Sequence, residues 1–261
     1  MSEVLVTRAG GVVTATLNRP ERRNAMNAAL VARLDELIAS LATDREARVL
    51  VLTGAGGHFC AGLDLVEVGS AEGDAETRLA AQLARNRRTG ERFAAIAALP
   101  QVVIARIEGS AHAGGLGFVC GADIAFASAE ARFAAPEVRR GLVAAQILPW
   151  MARRMGRAAT TRMVLEGRTL TAAEALSVGL VHEVAADATA LDAAVAACIA
   201  DVLQGAPGAL AETKLLLAAL GPVSPDGYAE AGAASFSRCS TGDESREGIA
   251  AFREKRKARW A

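Results

Sequence analysis

At 261 residues and 26.9 kDa the chain is long enough for one large domain, or a domain with an appendage, and needs no disulfide or metal to bury a core. Hydrophobic residues make up 52% and charged residues 22%, which excludes a disordered chain. Lys+Arg and Asp+Glu both number 29, so the balanced charge gives no support to a nucleic-acid partner.

The N-terminal stretch EVLVTR, Ala9-Gly10-Gly11, VVTATLN carries β-branched residues on both sides of a glycine turn and predicts a hairpin. The polar loop LNRPERRNAMN follows. From Asn27, a candidate cap, Leu30, Leu34, Leu37, Ile38 and Leu41 fall at helical spacing. Residues 48–53, RVLVLT, read as a buried parallel strand entering a glycine-rich loop. The unit repeats: a helix over 75–98 stopped by Pro100, a strand VVIARI at 102–107, a second glycine-rich stretch, a short apolar helix and a strand DIAFAS at 123–128. Beyond Val184 the pattern is helical and alanine-rich, punctuated by Pro207, Pro222 and Pro225. This alternation predicts an α/β fold with crossover connections, divided into a catalytic core over 1–190 and a helical assembly region over 191–261.

The cysteines Cys60, Cys120, Cys198 and Cys239 form no C-x-x-C pair, and His58, His112 and His182 are scattered, so no metal centre is expected. The N-terminus lacks a signal-peptide pattern and no apolar run reaches about 18 residues, which predicts a soluble, cytoplasmic protein without a membrane partner.

Two loops stand out. Loop one runs Thr53-Gly-Ala-Gly-Gly-His-Phe-Cys-Ala-Gly-Leu-Asp64, and loop two runs Glu108-Gly-Ser-Ala-His-Ala-Gly-Gly-Leu-Gly-Phe118. Each follows a buried strand. Glycine there admits close approach of backbone or ligand, and N–H groups at the start of the next helix make a site for an oxygen that is or becomes anionic. A structural turn packed on the sheet is the plain alternative for either loop. A dinucleotide fingerprint does not fit, because the third glycine required after Gly54-x-Gly56 falls at Phe59.

LNRPERRNAMN, HFCAGLDL, IEGSAHAGGLGFVCGADIAFAS, ARFAAPEVRRGL, GRTLTAAEALSVGLVHEV and the closing EGIAAFREKRKARW resemble, in order and spacing, the crotonase (enoyl-CoA hydratase/isomerase) family over nearly the whole chain. The resemblance implies a β-β-α spiral core with a helical C-terminal region that builds trimers, often paired into hexamers. It implies an acyl-CoA thioester as substrate, with CoA part of that substrate and no separate cofactor. The backbone N–H groups of Leu63 and Gly114 correspond to the family's oxyanion donors, flanked by Ala61 and Gly62 in loop one. Fixed donors of this kind favour an enolate over the ground-state thioester.

The family's hydratases usually carry two glutamates. Glu137, in the Pro-Glu dipeptide, matches one; the position of the other is Gly117. Two carboxylates can share one water, whereas a single carboxylate can shuttle a proton between two carbons or hydrate with help from elsewhere. His112 is a candidate for that help, its ordinary pKa (about 6.5) lying near neutrality, with plain packing as the alternative. Asp64 either caps the next helix or faces the acyl pocket, Gln146 is placed to hold water or a substrate carboxylate, and Asp123 fixes local backbone. Arg22, Arg23, Lys255 and Lys257 are candidates for the CoA phosphates. The pattern through PEVRRGLVAAQILPW is similar to members that hydrate branched glutaconyl-type enoyl-CoAs, for whose extra carboxylate Arg139, Arg140, Gln146 and His112 are candidate partners. Hydration led by Glu137 is the first expectation, isomerisation by Glu137 the second, and a catalytically weak acyl-CoA- or RNA-binding member the third.

Overall fold

The computed structural model describes residues 2–68, 74–205, 207–219, 230, 233–234, 236–237 and 240–256. The expected hairpin forms from β1 (Val4–Ala9) and β2 (Val12–Leu17), paired antiparallel. Gly10 (φ 54°) and Gly11 (φ 79°) make the two-residue turn; positive φ at both positions gives the twist that tight hairpins require. Asn27 caps α1 (Ala28–Thr43), its side chain accepting from the Leu30 N–H at 2.8 Å, and Leu30, Leu34, Leu37, Ile38 and Leu41 are its buried face.

The chain continues through β3 (Val49–Gly54), α2 (Leu65–Val68), α3 (Ala75–Ala97), β4 (Val102–Ile107), β5 (Ser110–His112), α4 (Gly114–Gly121), β6 (Ile124–Ser128) and β7 (Arg132–Ala134). A 3-10 turn at Glu137–Arg140 leads to α5 (Leu148–Glu166), which breaks at Gly156, and to β8 (Thr169–Thr171), α6 (Ala172–Ser177) and β9 (Glu183–Ala185). Among the described residues α7 (Ala188–Gln204), α8 (Pro207–Ala219) and α9 (Asp243–Arg253) complete the fold.

The main sheet has the order β1-β2-β3-β4-β6-β9 and is parallel from β2 onward. Its buried strands alternate between two cores, as a period of two dictates. Val49, Val51, Ile104 and Phe126 pack against Leu191 and Val195 of α7. Leu50, Leu52, Val103 and Ala105 face the larger core with α1, α3 and α4. Thus α7 runs across the expected boundary at 190/191 and covers one face of the sheet. A second sheet, β5-β7-β8, was not anticipated from sequence; its strands have three residues each, too short to show a period. Asp123 holds backbone as expected, Oδ2 accepting from the Val103 N–H at 2.7 Å, and it also pairs with Lys214 at 2.6 Å.

Candidate active site

Three irregular segments are joined by main-chain hydrogen bonds. Ala61 N–H donates to Arg23 O (3.0 Å), Met26 N–H to Gly62 O (2.7 Å) and Asp64 N–H to Met26 O (3.0 Å), tying the N-terminal loop to loop one. Phe59 N–H donates to Glu108 O, Cys60 N–H to Ser110 O and His112 N–H to Cys60 O, each at 2.9 Å, tying loop one to loop two. The fully buried Asn24 locks the first junction: its Nδ2 donates to Ala55 O (2.9 Å) and His58 O (2.6 Å), and its Oδ1 accepts from Arg19 N–H (2.9 Å). Its left-handed backbone (φ 57°) suits asparagine, and this was the signal in the sequence that could have singled it out.

Close approach explains the glycines of loop two. A Cβ built on Gly115 would lie 2.4 Å from Cys60 O, so loop two can seat on loop one only with glycine here. Gly62 (φ 93°) faces Ala113 and the Gly114 nitrogen in the same way. This seating brings the Leu63 and Gly114 N–H groups to one cleft, and among the described residues neither has an acceptor. Gly114 is the first residue of α4, so its N–H is one that the helix itself leaves unpaired, at the positive end of the helix dipole.

Ala113, which aims that N–H, adopts φ 50°, ψ −120°, a conformation suited to glycine. Such strain costs roughly 1–3 kcal/mol, partly offset on replacement by glycine's larger unfolded-state entropy. Ala113→Gly is therefore expected to stabilise the protein by about 1 kcal/mol, read as a rise in the denaturant midpoint at unchanged m-value.

Glu137 opens the 3-10 turn after Pro136 and lines the same cleft. Among the described residues its Oε2 is buried without a hydrogen-bond partner. Burial pushes its carboxyl up to about 7, against the pull of its own N–H and of Arg140. Two other buried nitrogens, His112 Nε2 and Arg140 Nε, belong to cleft residues and lack partners among the described residues. Burial lowers the His112 pKa, and the charges of Arg140, Arg23 and His58 lower it further. Arg140 lies over the Phe252 ring (4.7 Å), which brings α9 onto the Glu137–Arg140 turn; a Cβ on Gly248 of α9 would meet Arg140 O at 2.4 Å.

Gly117 lies on α4 with no room for a side chain. A Cβ there would sit 2.4 Å from Phe93 Cζ and 2.8 Å from Ile147 Cγ2. Phe93 is 1% exposed and packs edge-on against Phe118 with centroids 5.3 Å apart. The space a second glutamate would need is filled with hydrocarbon.

The cleft has a volume of about 1070 Å³. Arg22, Arg23, Ala61, Leu63, Asp64, His112, Gly114, Glu137 and Gln146 all line it, while Gly62 stands behind the donors. Arg22 and Arg23 are exposed, and among the described residues neither has a salt-bridge partner. Asp64 is committed to structure: Oδ1 accepts from the Val66 N–H at 3.2 Å, Oδ2 pairs with Arg19 at 3.0 Å. Gln146 is buried and its Nε2 donates to Asn86 Oδ1 at 3.0 Å. Lys255 is exposed and is not among the residues lining the cleft; Lys257 lies outside the described residues. Arg139 is turned away, donating to Glu166 O.

Asn86 and Gln82, both on α3, were missed. Asn86 shares the buried face of α3 with Thr89, Phe93 and Ile96, and a polar residue in that apolar series was the available signal. Gln82 Oε1 accepts from Ser240 Oγ at 3.0 Å, so the C-terminal region contributes polar lining as well. Cys60 and Cys120 are buried, with thiols pushed up to about 12 by burial, and take no part in proton chemistry. Among the described residues no group of three His, Cys, Asp or Glu side chains could hold a metal ion.

The profile of the enoyl-CoA hydratase/isomerase family matches residues 7–261. The 2,3-dehydroadipyl-CoA hydratase of Escherichia coli is 33% identical over 261 residues, covering 98% of this chain and 97% of that one. Among solved structures, an enoyl-CoA hydratase from Mycobacterium avium superposes with a TM-score of 0.86 at 33% identity over 100% of both chains. Pseudomonas aeruginosa AtuE gives 0.78 at 38% identity over 99% of each.

Proposed function

Because this chain belongs to the enoyl-CoA hydratase/isomerase family, we propose that it adds water across the conjugated double bond of an acyl-CoA thioester, with Glu137 carrying the proton. The observation that carries the reading is the Glu137 carboxyl, whose buried Oε2 has no partner among the described residues, in one cleft with two backbone N–H groups likewise unpaired among them. Water gives a proton to the Glu137 carboxylate as its oxygen bonds Cβ. The π electrons move to the thioester oxygen, which becomes an enolate held by the N–H groups of Leu63 and Gly114. Glu137 returns the proton to Cα and the carbonyl re-forms. Net, one water is added, and Glu137 ends as it began. A carboxyl near 7 is matched to taking and returning one proton at neutral pH.

We propose a branched, glutaconyl-type acyl group carrying its own carboxylate. Support comes from the polar lining, namely Asn86 with Gln146 and Gln82 with Ser240, and from Arg140, whose Nε is buried and unpartnered. The Escherichia coli relative, named for a dehydroadipyl thioester, makes a carboxylated substrate reasonable. Isomerisation is the second reading, favoured by the filled space beside Gly117, which leaves Glu137 without a partner carboxylate from that position. A panel of linear, branched and carboxylated enoyl-CoAs in deuterated water separates the two. Gain of one water supports hydration, whereas deuterium with a shifted double bond and no added oxygen overturns it.

Arg22 and Arg23, exposed at the cleft and without salt bridges among the described residues, are assigned to the CoA phosphates. The double replacement by Ala is expected to raise KM roughly tenfold, with kcat unchanged and a weaker dependence of KM on salt, since contacts remote from the reacting carbons bind substrate and transition state alike. A homotrimer, alone or paired as a hexamer, is proposed as the working state; Leu215, Leu216 and Leu217 are exposed on α8 in the single chain, and light scattering reads the assembly directly.

A further inference from the structure

We propose that His112 is the second group that holds the attacking water, taking the place of the carboxylate that Phe93 and Ile147 exclude at Gly117. The proposal rests on the hydration reading above. A water that gives one hydrogen to Glu137 has a second hydrogen still to place, and in a dry cleft an unplaced hydrogen is costly. Two carboxylates would supply both acceptors. Here a Cβ at Gly117 already meets Phe93 Cζ at 2.4 Å, so no carboxylate can stand there.

His112 is built to fill the gap. It ends β5, two residues before the donor Gly114, with its backbone fixed by the Cys60 carbonyl (2.9 Å) and by its register against Ala134, three residues before Glu137. His112 lines the cleft, its Nε2 is buried, and its imidazole makes no hydrogen bond among the described residues. Glu137 and Arg140 line the same cleft as His112. Burial first, and then the charges of Arg140, Arg23 and His58, shift the imidazole toward its neutral form, the form that can accept. No net proton passes to His112: it accepts a hydrogen bond from water while the O–H bond facing Glu137 breaks.

The test compares two reactions of the full-length enzyme. Hydration needs the held water, whereas exchange of the α-hydrogens of a saturated acyl-CoA with deuterated solvent needs only Glu137 and the backbone donors. His112→Leu is expected to slow hydration by about 100-fold while most of the exchange rate survives. His112→Gln, which keeps an acceptor where Nε2 stands, is expected to recover hydration to within about tenfold of the parent. It serves as the readout if the leucine variant does not fold. The parent's hydration rate should rise through the Glu137 pKa and stay level at alkaline pH, since no imidazolium is required. Equal loss of both reactions, or unaltered hydration in His112→Leu, overturns the proposal. An alkaline limb that disappears in His112→Gln overturns it in favour of a general-acid imidazolium. If the parent adds no water to any enoyl-CoA but still exchanges α-hydrogens, the hydration reading itself fails and the water-holding role falls with it.

Discussion

Glu137→Gln is expected to lower kcat for hydration by about 10³-fold while raising the stability of the protein. The first effect follows from removing the one group that takes and returns the proton. The second follows from linkage. The carboxyl is raised from an ordinary 4.5 to about 7 because the folded protein strips water from it. Between those values the folded state binds more protons than the unfolded one, so stability falls as pH rises through that window. Below 4.5 both states are protonated and no cost remains; above about 7 the cost is complete, up to about 3 kcal/mol. A neutral amide escapes it. Denaturant titrations at pH 4 and pH 8 should therefore show the variant level with the parent at the lower pH and more stable at the higher. Equal stability at both would mean that solvent reaches the carboxyl in the free enzyme. The pH profile of kcat/KM should rise with its midpoint near 7.

Gly117→Glu, which restores the glutamate usual in the family's hydratases, is expected to damage the protein rather than improve it. The new side chain would start 2.4 Å from Phe93 Cζ and 2.8 Å from Ile147 Cγ2, in a part of the core with no space for a methyl group. Overpacking of this kind costs about 1–3 kcal/mol, and an unpaired carboxylate among aromatic and aliphatic carbon adds more, so a loss of at least 3 kcal/mol is expected. The melting temperature should drop by about 6 °C or more for a chain of this length. Pairing the change with Phe93→Ala opens the space but costs a buried aromatic, about 3–5 kcal/mol by itself. Hydration in Gly117→Glu at full parental stability would show that Phe93 swings aside easily and that the space is not closed.

Much of the architecture was readable before any coordinates. The hairpin, α1 with its Asn27 cap, β3, α3, β4 and β6 each announce themselves through periodicity or turn chemistry, signals local to a few residues. The strands β5, β7, β8 and β9 are three residues long and owe their pairing to distant partners, so nothing local marks them. The same division runs through the cleft. Glu137, Leu63 and Gly114 were found through the resemblance, and their gathering on one cleft depends on backbone pairings across the three loops. That Phe93 fills the space beside Gly117 could not be read from sequence, because the two residues meet only through the packing of α3 on α4. Asp64 reads as a cap of the next helix ahead of a pocket residue; it lines the cleft while Oδ1 accepts from the Val66 N–H at the start of α2 and Oδ2 pairs with Arg19.

Gly248 rests on the main chain of Arg140, and Arg140 belongs to the turn that begins with Glu137. The last described helix is thus a mechanical lever on the turn that carries Glu137, the proposed acid–base residue. An enzyme tethered to a bead or electrode through α9 would transmit load to that turn, whereas a tether on the edge strand β1 would load the main sheet. For immobilised biocatalysis the choice of anchoring end is therefore also a choice about turnover.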